Sequence, residues 1–253
     1  MSKSAMTQQD LTHAENARLV IDFLHRAMMH HALWFSEVSH QLGREQAYAV
    51  LTEVTERSSQ IMFQRLGKTL GFTVNNGVPS PFSDLPETEL NALKESVAVN
   101  WLANDGVWFQ ALEKSRGMHD AKRCNDSCWS NFSPLEAQMI KTFLALPENP
   151  GLEGLKRALG FRLYATVNKQ EITAETSNSF VFRINECRVQ VARKRKGLDD
   201  YPCKSGGMAE YLTFAETIDS RIKTECIACP PDEHPDSWYC AWKFTLEEVS
   251  SVS

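Results

Sequence analysis

The stretch "ALWFSEVSHQLGREQA", residues 32–47, reappears in altered form as "GVWFQALEKSRGMHDA", residues 106–121. Superposed, the two place Trp34 and Phe35 over Trp108 and Phe109, Gly43 over Gly117 and Ala47 over Ala121. The register runs on without gaps, to Gln64 over Gln138 and Leu70 over Leu144. Two copies make a duplication and not a solenoid. The spacing predicts two similar helix–turn–helix units, at about 30–72 and 104–146, packed against each other.

Working outward, "AENARLVIDFLHRAMMHHALWFSEVSHQLG" carries Leu19, Ile21, Phe23, Leu24, Met28, Leu33, Trp34 and Val38. That pattern predicts a largely buried helix ending at Gly43. A second helix is expected over "EQAYAVLTEVTERSSQIMFQRLGKTLGF", then a loop over residues 73–86, with helix resuming at Glu87. "LPENPGLEGL", residues 146–155, holds two prolines and two glycines and marks the boundary between a helical region, 1–147, and a second region, 148–253.

Beyond that break the period changes. "GLEGLKRALGFRLYA" puts Leu152, Leu155 and Leu159 on one helical face, whereas "SFVFRINECRVQVA" alternates in the manner of a strand. "GGMAEYLTFAETI" reads as a helix, and "RIKTECIA" and "SWYCAWKFTLEE" as two strands joined by a proline-rich loop. The fold class is therefore α+β. A helical half with a duplicated unit precedes an antiparallel sheet with helices and a cysteine-ligated metal, the two regions packed as one globular unit.

Bulk properties narrow the partners. The chain has 253 residues, 42% hydrophobic and 23% charged, with a net charge of −5. Nothing in that balance calls for nucleic acid, and the basic run "RKRKG" at 193–197 reads as a solvated helix end. No stretch has the apolar length of a membrane span, and the first residues lack the apolar core of a signal peptide. A cytoplasmic location is expected. There the seven cysteines, an odd number, suit metal ligation better than disulfides.

Four of them converge in sequence. Cys226 and Cys229 form a C-x2-C knuckle, Cys240 lies on the returning strand, and Cys203 opens the intervening helix. Four thiolates around one hairpin point to structural zinc, with no open coordination position for catalysis. An iron–sulfur cluster accepts the same ligands, Cys187 and His234 are further candidates, and thiols also pack as small hydrophobes.

The segment from "CRVQVARKRKGLDDYPCKSGG" to "CIACPPDEHPDSWYCAWKFTL", with the upstream "LWF" and "VWF", resembles an uncharacterised family of prokaryotic cytosolic proteins. That family is distantly similar to L-2-amino-thiazoline-4-carboxylic acid hydrolases. The last third also resembles the 4-vinyl reductase type domain, a small-molecule-binding module with a structural zinc. Its zinc pattern is a leading cysteine, an E-x2-C pair and a cysteine on the final strand. Cys203, Cys226, Cys229 and Cys240 fall in that order, with Cys226 standing where the pattern has Glu. The resemblance implies a homodimer, because such domains often pair.

A structural metal leaves function to be found elsewhere. The polar residues His30 and His31 precede one W-F pair, and Asn104 and Asp105 the other. If the repeats pack symmetrically, Trp34, Phe35, Trp108 and Phe109 line a pocket between helices and sheet, with His31 and Asp105 at its end as base and orienting partner. The function expected first is small-molecule binding beside a structural zinc. A hydrolase acting on a cyclic amidine such as an aminothiazoline carboxylate, and an iron–sulfur redox protein, are the alternatives.

Overall fold

A computed structural model describes residues 7–197 and 199–247 and divides them into two compact units, the first ending at Gly77 and the second beginning at Val78. In the first unit, a short 3-10 turn (Gln8–Asp10) precedes two long helices, α1 (His13–Leu42) and α2 (Arg44–Leu70), and the two-residue strand β1 (Val74–Asn75). A capping box starts α1. The Thr12 hydroxyl accepts from the Glu15 amide at 3.3 Å, and the Glu15 carboxylate accepts from the Thr12 amide at 2.8 Å.

The second unit opens with β2 (Val78–Pro79) and α3 (Ser80–Ser83), then α4 (Glu87–Arg116) and α5 (Met118–Phe143). The bounds of α4 and α5 lie one repeat length beyond those of α1 and α2, to within a residue at the end of α5. The corners match as well. Gly43 turns at φ 88°, ψ 162° and Gly117 at φ 90°, ψ 167°, in a region that glycine enters without a Cβ clash. One such residue ends each first helix and starts the second. Beside the corners, Ala47 and Ala121 are buried, where a larger side chain would pry the helices apart.

The rest of the unit comprises α6 (Gly151–Leu159), α7 (Leu163–Val167), β3 (Lys169–Thr173), β4 (Ser179–Glu186), α8 (Arg188–Arg195), α9 (Lys204–Ile218), β5 (Ile222–Ala228) and β6 (Cys240–Leu246). The strands form an antiparallel sheet in the order β3-β4-β6-β5. The architecture of this unit is α+β, with α9 laid on one face of the sheet and α5 packed on α9. Phe180 pairs with Phe244 and Phe182 with Trp242, and these join Leu155, Leu159, Phe214 and Ile218 in the core. The face of α6 carrying Leu152, Leu155 and Leu159 is buried, as its spacing predicts.

Three expectations need correction. First, α1 has no buried residue, although its apolar pattern predicts a largely buried helix. Second, the strand read through "SFVFRINECRVQVA" stops at Glu186, and Cys187 becomes the N-cap of α8. Gln190 fixes that helix, because its side chain bonds both the amide and the carbonyl of Tyr201, at 2.8 and 2.9 Å. Third, the edge strand β3 escaped the sequence reading, because "KQEIT" is polar and no residue of it is fully buried.

Candidate functional site

A cavity of about 670 Å³ lies wholly within the second unit, between α4 and α5 on one side and α8, α9 and the sheet on the other. The repeat places its helical wall. On α4, Asp105 and Phe109 stand one turn apart before the corner. On α5, Lys122, Asn125 and Trp129 follow it. Tyr164, Tyr201, Tyr211 and Trp242 supply further aromatic surface. The Phe109 and Tyr201 rings meet edge to face at 5.4 Å, and Tyr211 stacks on Trp242 at 4.6 Å.

Charged and amide side chains also line this wall, and several are paired. Asp105 accepts a hydrogen bond from Asn125 at 3.1 Å, and burial raises its carboxyl above the usual range despite the pull of Asn125 and Lys122. Lys122 is neutralised by Asp126 at 2.6 Å and sits over the Tyr201 ring. Glu210 accepts from Arg162 at 2.6 Å, and Arg162 also binds Glu136 at 2.8 Å. One buried cation thus serves two buried carboxylates. Burial penalises the charge on Arg162, but its carboxylate partners more than restore it, whereas burial raises the Glu210 carboxyl beyond what Arg162 offsets. The indole N–H of Trp242 is buried with no hydrogen-bond partner among the described residues. Arg188, Arg193 and Lys196 bring positive charge to the same lining.

Four of the cysteines reach the cavity wall: Cys187, Cys203, Cys229 and Cys240. Cys203 is the N-cap of α9, and its Sγ lies 3.5 Å from Cys229 Sγ. The hydrogen bond from Cys229 lowers the Cys203 thiol, and bonding with Cys203 and Cys240 raises Cys229. Sheet register sets Cys226 and Cys240 with the alternate residues Ile222 and Trp242, on the face that α9 covers. Burial pushes Cys226 up to about 11 and Cys187 up to about 12. Tetrahedral thiolates around zinc stand about 3.8 Å apart, close to the Cys203–Cys229 spacing. Even so, no three His, Cys, Asp or Glu side chains among the described residues form a group set to hold a metal ion.

The loop before Cys240 is better tied than its composition implies. Asp232 pairs with Lys204 at 2.8 Å and accepts from the Cys229 amide at 3.3 Å, so it holds the knuckle against α9. His234 Nε2 lies 3.0 Å from Asp200 Oδ2. Burial works against its protonation, but the bonds to the Pro235 carbonyl and Asp200 outweigh that and raise its pKa.

The other sequence candidates fall in different places. His31, Trp34 and Phe35 line an apolar groove of about 280 Å³ in the first unit, with Val38, Val50 and Val54. His30 is exposed and meets the Trp34 ring edge-on at 6.3 Å. Asp105 and Phe109 line the larger cavity of the second unit, while Asn104 and Trp108 are exposed on α4. His31 and Asp105 therefore belong to separate units. Sequence reasoning missed Tyr164, Tyr201, Glu210 and the Arg162 cluster. These sit on α7, α9, α5 and the connections around them, which only tertiary packing brings together, and no spacing motif marks them.

No helix among the described residues is long and apolar enough to cross a membrane. No curated protein and no solved structure matches the chain. Comparison with known protein families matches residues 83–246, which cover the second corner, the sheet and the whole cavity, and by that match the chain belongs to a family of unknown function, DUF6125.

Proposed function

We propose that the protein binds a small organic molecule in the cavity of its second unit. The observation that carries this reading is the cavity itself. Its volume of about 670 Å³ falls in the range of ligand sites, and its wall sets aromatic and aliphatic surface beside charged and amide side chains that could orient a ligand. Asp105 offers a hydrogen-bond acceptor, and Arg188, Arg193 and Lys196 offer charged donors. The resemblance of the last third to the 4-vinyl reductase type module favours the same role. Thermal-shift screening of small aromatic amines and acids should find compounds that raise the Tm of the wild type. Those shifts should shrink in Phe109→Ala and Asp105→Asn. If no compound stabilises the protein, or the hits shift both variants as much as the wild type, the reading fails.

A second reading concerns the cysteines and is favoured by the 3.5 Å approach of Cys203 to Cys229. It is that Cys203, Cys226, Cys229 and Cys240 take up a structural zinc ion, which ties the start of α9 to the β5–β6 hairpin. Metal analysis of tag-free protein tests it. One zinc per chain, lost in Cys226→Ser and Cys240→Ser together with thermal stability, is the expected result. Iron with inorganic sulfide would replace zinc by a cluster, and metal-free protein of unchanged stability would remove the metal altogether.

A further inference from the structure

We propose that α1 and α2 form the interface of a homodimer, in which the first corner of one chain packs on that of a second copy. The starting point is a helix that is apolar yet uncovered. α1 runs for 30 residues without one buried residue. Nine of its large apolar side chains are 42–68% exposed, among them Ile21, Leu24, Met28, Leu33 and Trp34. Phe23, Trp34, Val20, Leu24, Met28 and Ile21 fall within about 160° of the helix circumference, so they make one broad stripe. A helix with such a stripe is stable in water only when the stripe is covered. On α2, Val50, Val54, Ile61, Met62 and Leu70 add apolar surface.

The duplicated corner shows what such a surface does when covered. In the second unit α5 lies on α9 and buries Trp129, Ala137 and Ile140. The matching positions of α2 are Thr55, Phe63 and Leu66, which are only half-buried. The first corner thus keeps the shape of a packing element without an equivalent of α9 among the described residues of its own unit.

Area and charge choose the occupant. The exposed apolar side chains of the two helices present on the order of 1,000 Å², against about 800 Å² that each partner contributes to a standard interface. α1 and α2 together carry six acidic and six basic residues, although the whole chain has a net charge of −5. A neutral apolar surface gives no grip to a strongly charged partner and does not repel its own copy. Two-fold pairing then sets the stripe of one copy against that of the other, each contact being made twice.

Light scattering and sedimentation equilibrium of the full chain provide the test. The expected mass is twice the 28.6 kDa of one chain. The double variant Leu24→Ala, Met28→Ala, both within the stripe, should weaken dimerisation at least ~10-fold, because it removes interface area from both copies. Alanine is the strongest helix former, so a loss of helix does not explain that result. The control is Val107→Ala on α4, an apolar side chain that is 65% exposed but lies outside this surface; it should leave the dimer intact. A monomer at every concentration would overturn the proposal and leave the stripe to another partner or to the chain's own second unit. A dimer indifferent to the double variant, or equally weakened by Val107→Ala, would overturn the assignment of this surface.

Discussion

Asp219 is a single carboxylate that ties three elements. It accepts from the Gly151 amide at 2.9 Å and from Arg221 at 2.7 and 3.0 Å, joining the end of α9 to the start of α6 and the approach to β5. The Arg221 bonds, aided by the Gly151 amide, depress its pKa to about 2, while only 1% of the residue is exposed. A carboxyl depressed in the folded state adds stability above its unfolded pKa, and that stability is lost as pH falls toward 2. Wild-type stability should therefore drop between about pH 4 and pH 2, and Asp219→Asn should flatten this limb while costing about 2–4 kcal/mol at neutral pH. Urea titrations at several pH values measure both. Arg162 predicts the opposite slope. In Arg162→Met, Glu136 and Glu210 remain buried without their cation, at a cost of about 3–5 kcal/mol at pH 7. Their folded pKa values then rise, so the deficit should narrow as pH is lowered from 7 to 5. A deficit that does not change with pH would show that the triad is not electrostatically coupled in this way.

At the scale of one helix, the two glycines that open α9 test how closely it seats on the sheet. A Cβ at Gly207 would stand 2.8 Å from the Trp242 ring, which is fully buried and has nowhere to go. Gly207→Ala should cost about 1–3 kcal/mol in spite of alanine's better helix propensity. A Cβ at Gly206 would meet the ends of Asp126 and Lys122, at 3.1 and 3.6 Å, and rest at ordinary contact distance, 3.8 Å, from the Trp129 ring. Those side chains can swing aside, so Gly206→Ala should be neutral or stabilising by up to about 1 kcal/mol. Equal effects in chemical denaturation would contradict the seating of α9 on Trp242. The sequence read this helix well, together with β5, β6 and both long helical pairs, because their periods are long and their corners carry glycine. It could not show the contact between Gly207 and Trp242, since Trp242 reaches α9 only through sheet pairing. The same limit explains the candidate site. Asp105 and Phe109 stood out beside a repeated motif, whereas Tyr164, Tyr201 and Glu210 carry no local signal. β3 was missed for want of buried residues, and α8 because its alternating "RVQVA" reads equally as a strand.

Over the whole molecule, division at Gly77 separates two stability problems. The second unit has its own core around Phe180, Phe214, Trp242 and Phe244. In the first, α1 and α2 bury only Ala47 and Gly67 fully. Two helices with so little shared core are marginal alone, and their stability must come from whatever covers the apolar stripe. If a second copy covers it, unfolding of the first unit is linked to dissociation, and its Tm rises with protein concentration. The second unit unfolds within one chain, so its Tm should not move. Calorimetry should therefore resolve two transitions. The lower one should rise by several degrees for a ~10-fold increase in concentration, and the upper one should rise only with a cavity ligand. One cooperative transition, independent of concentration, would mean that the helices draw their stability from their own chain. In that case neither the dimer nor the separation of the two units survives.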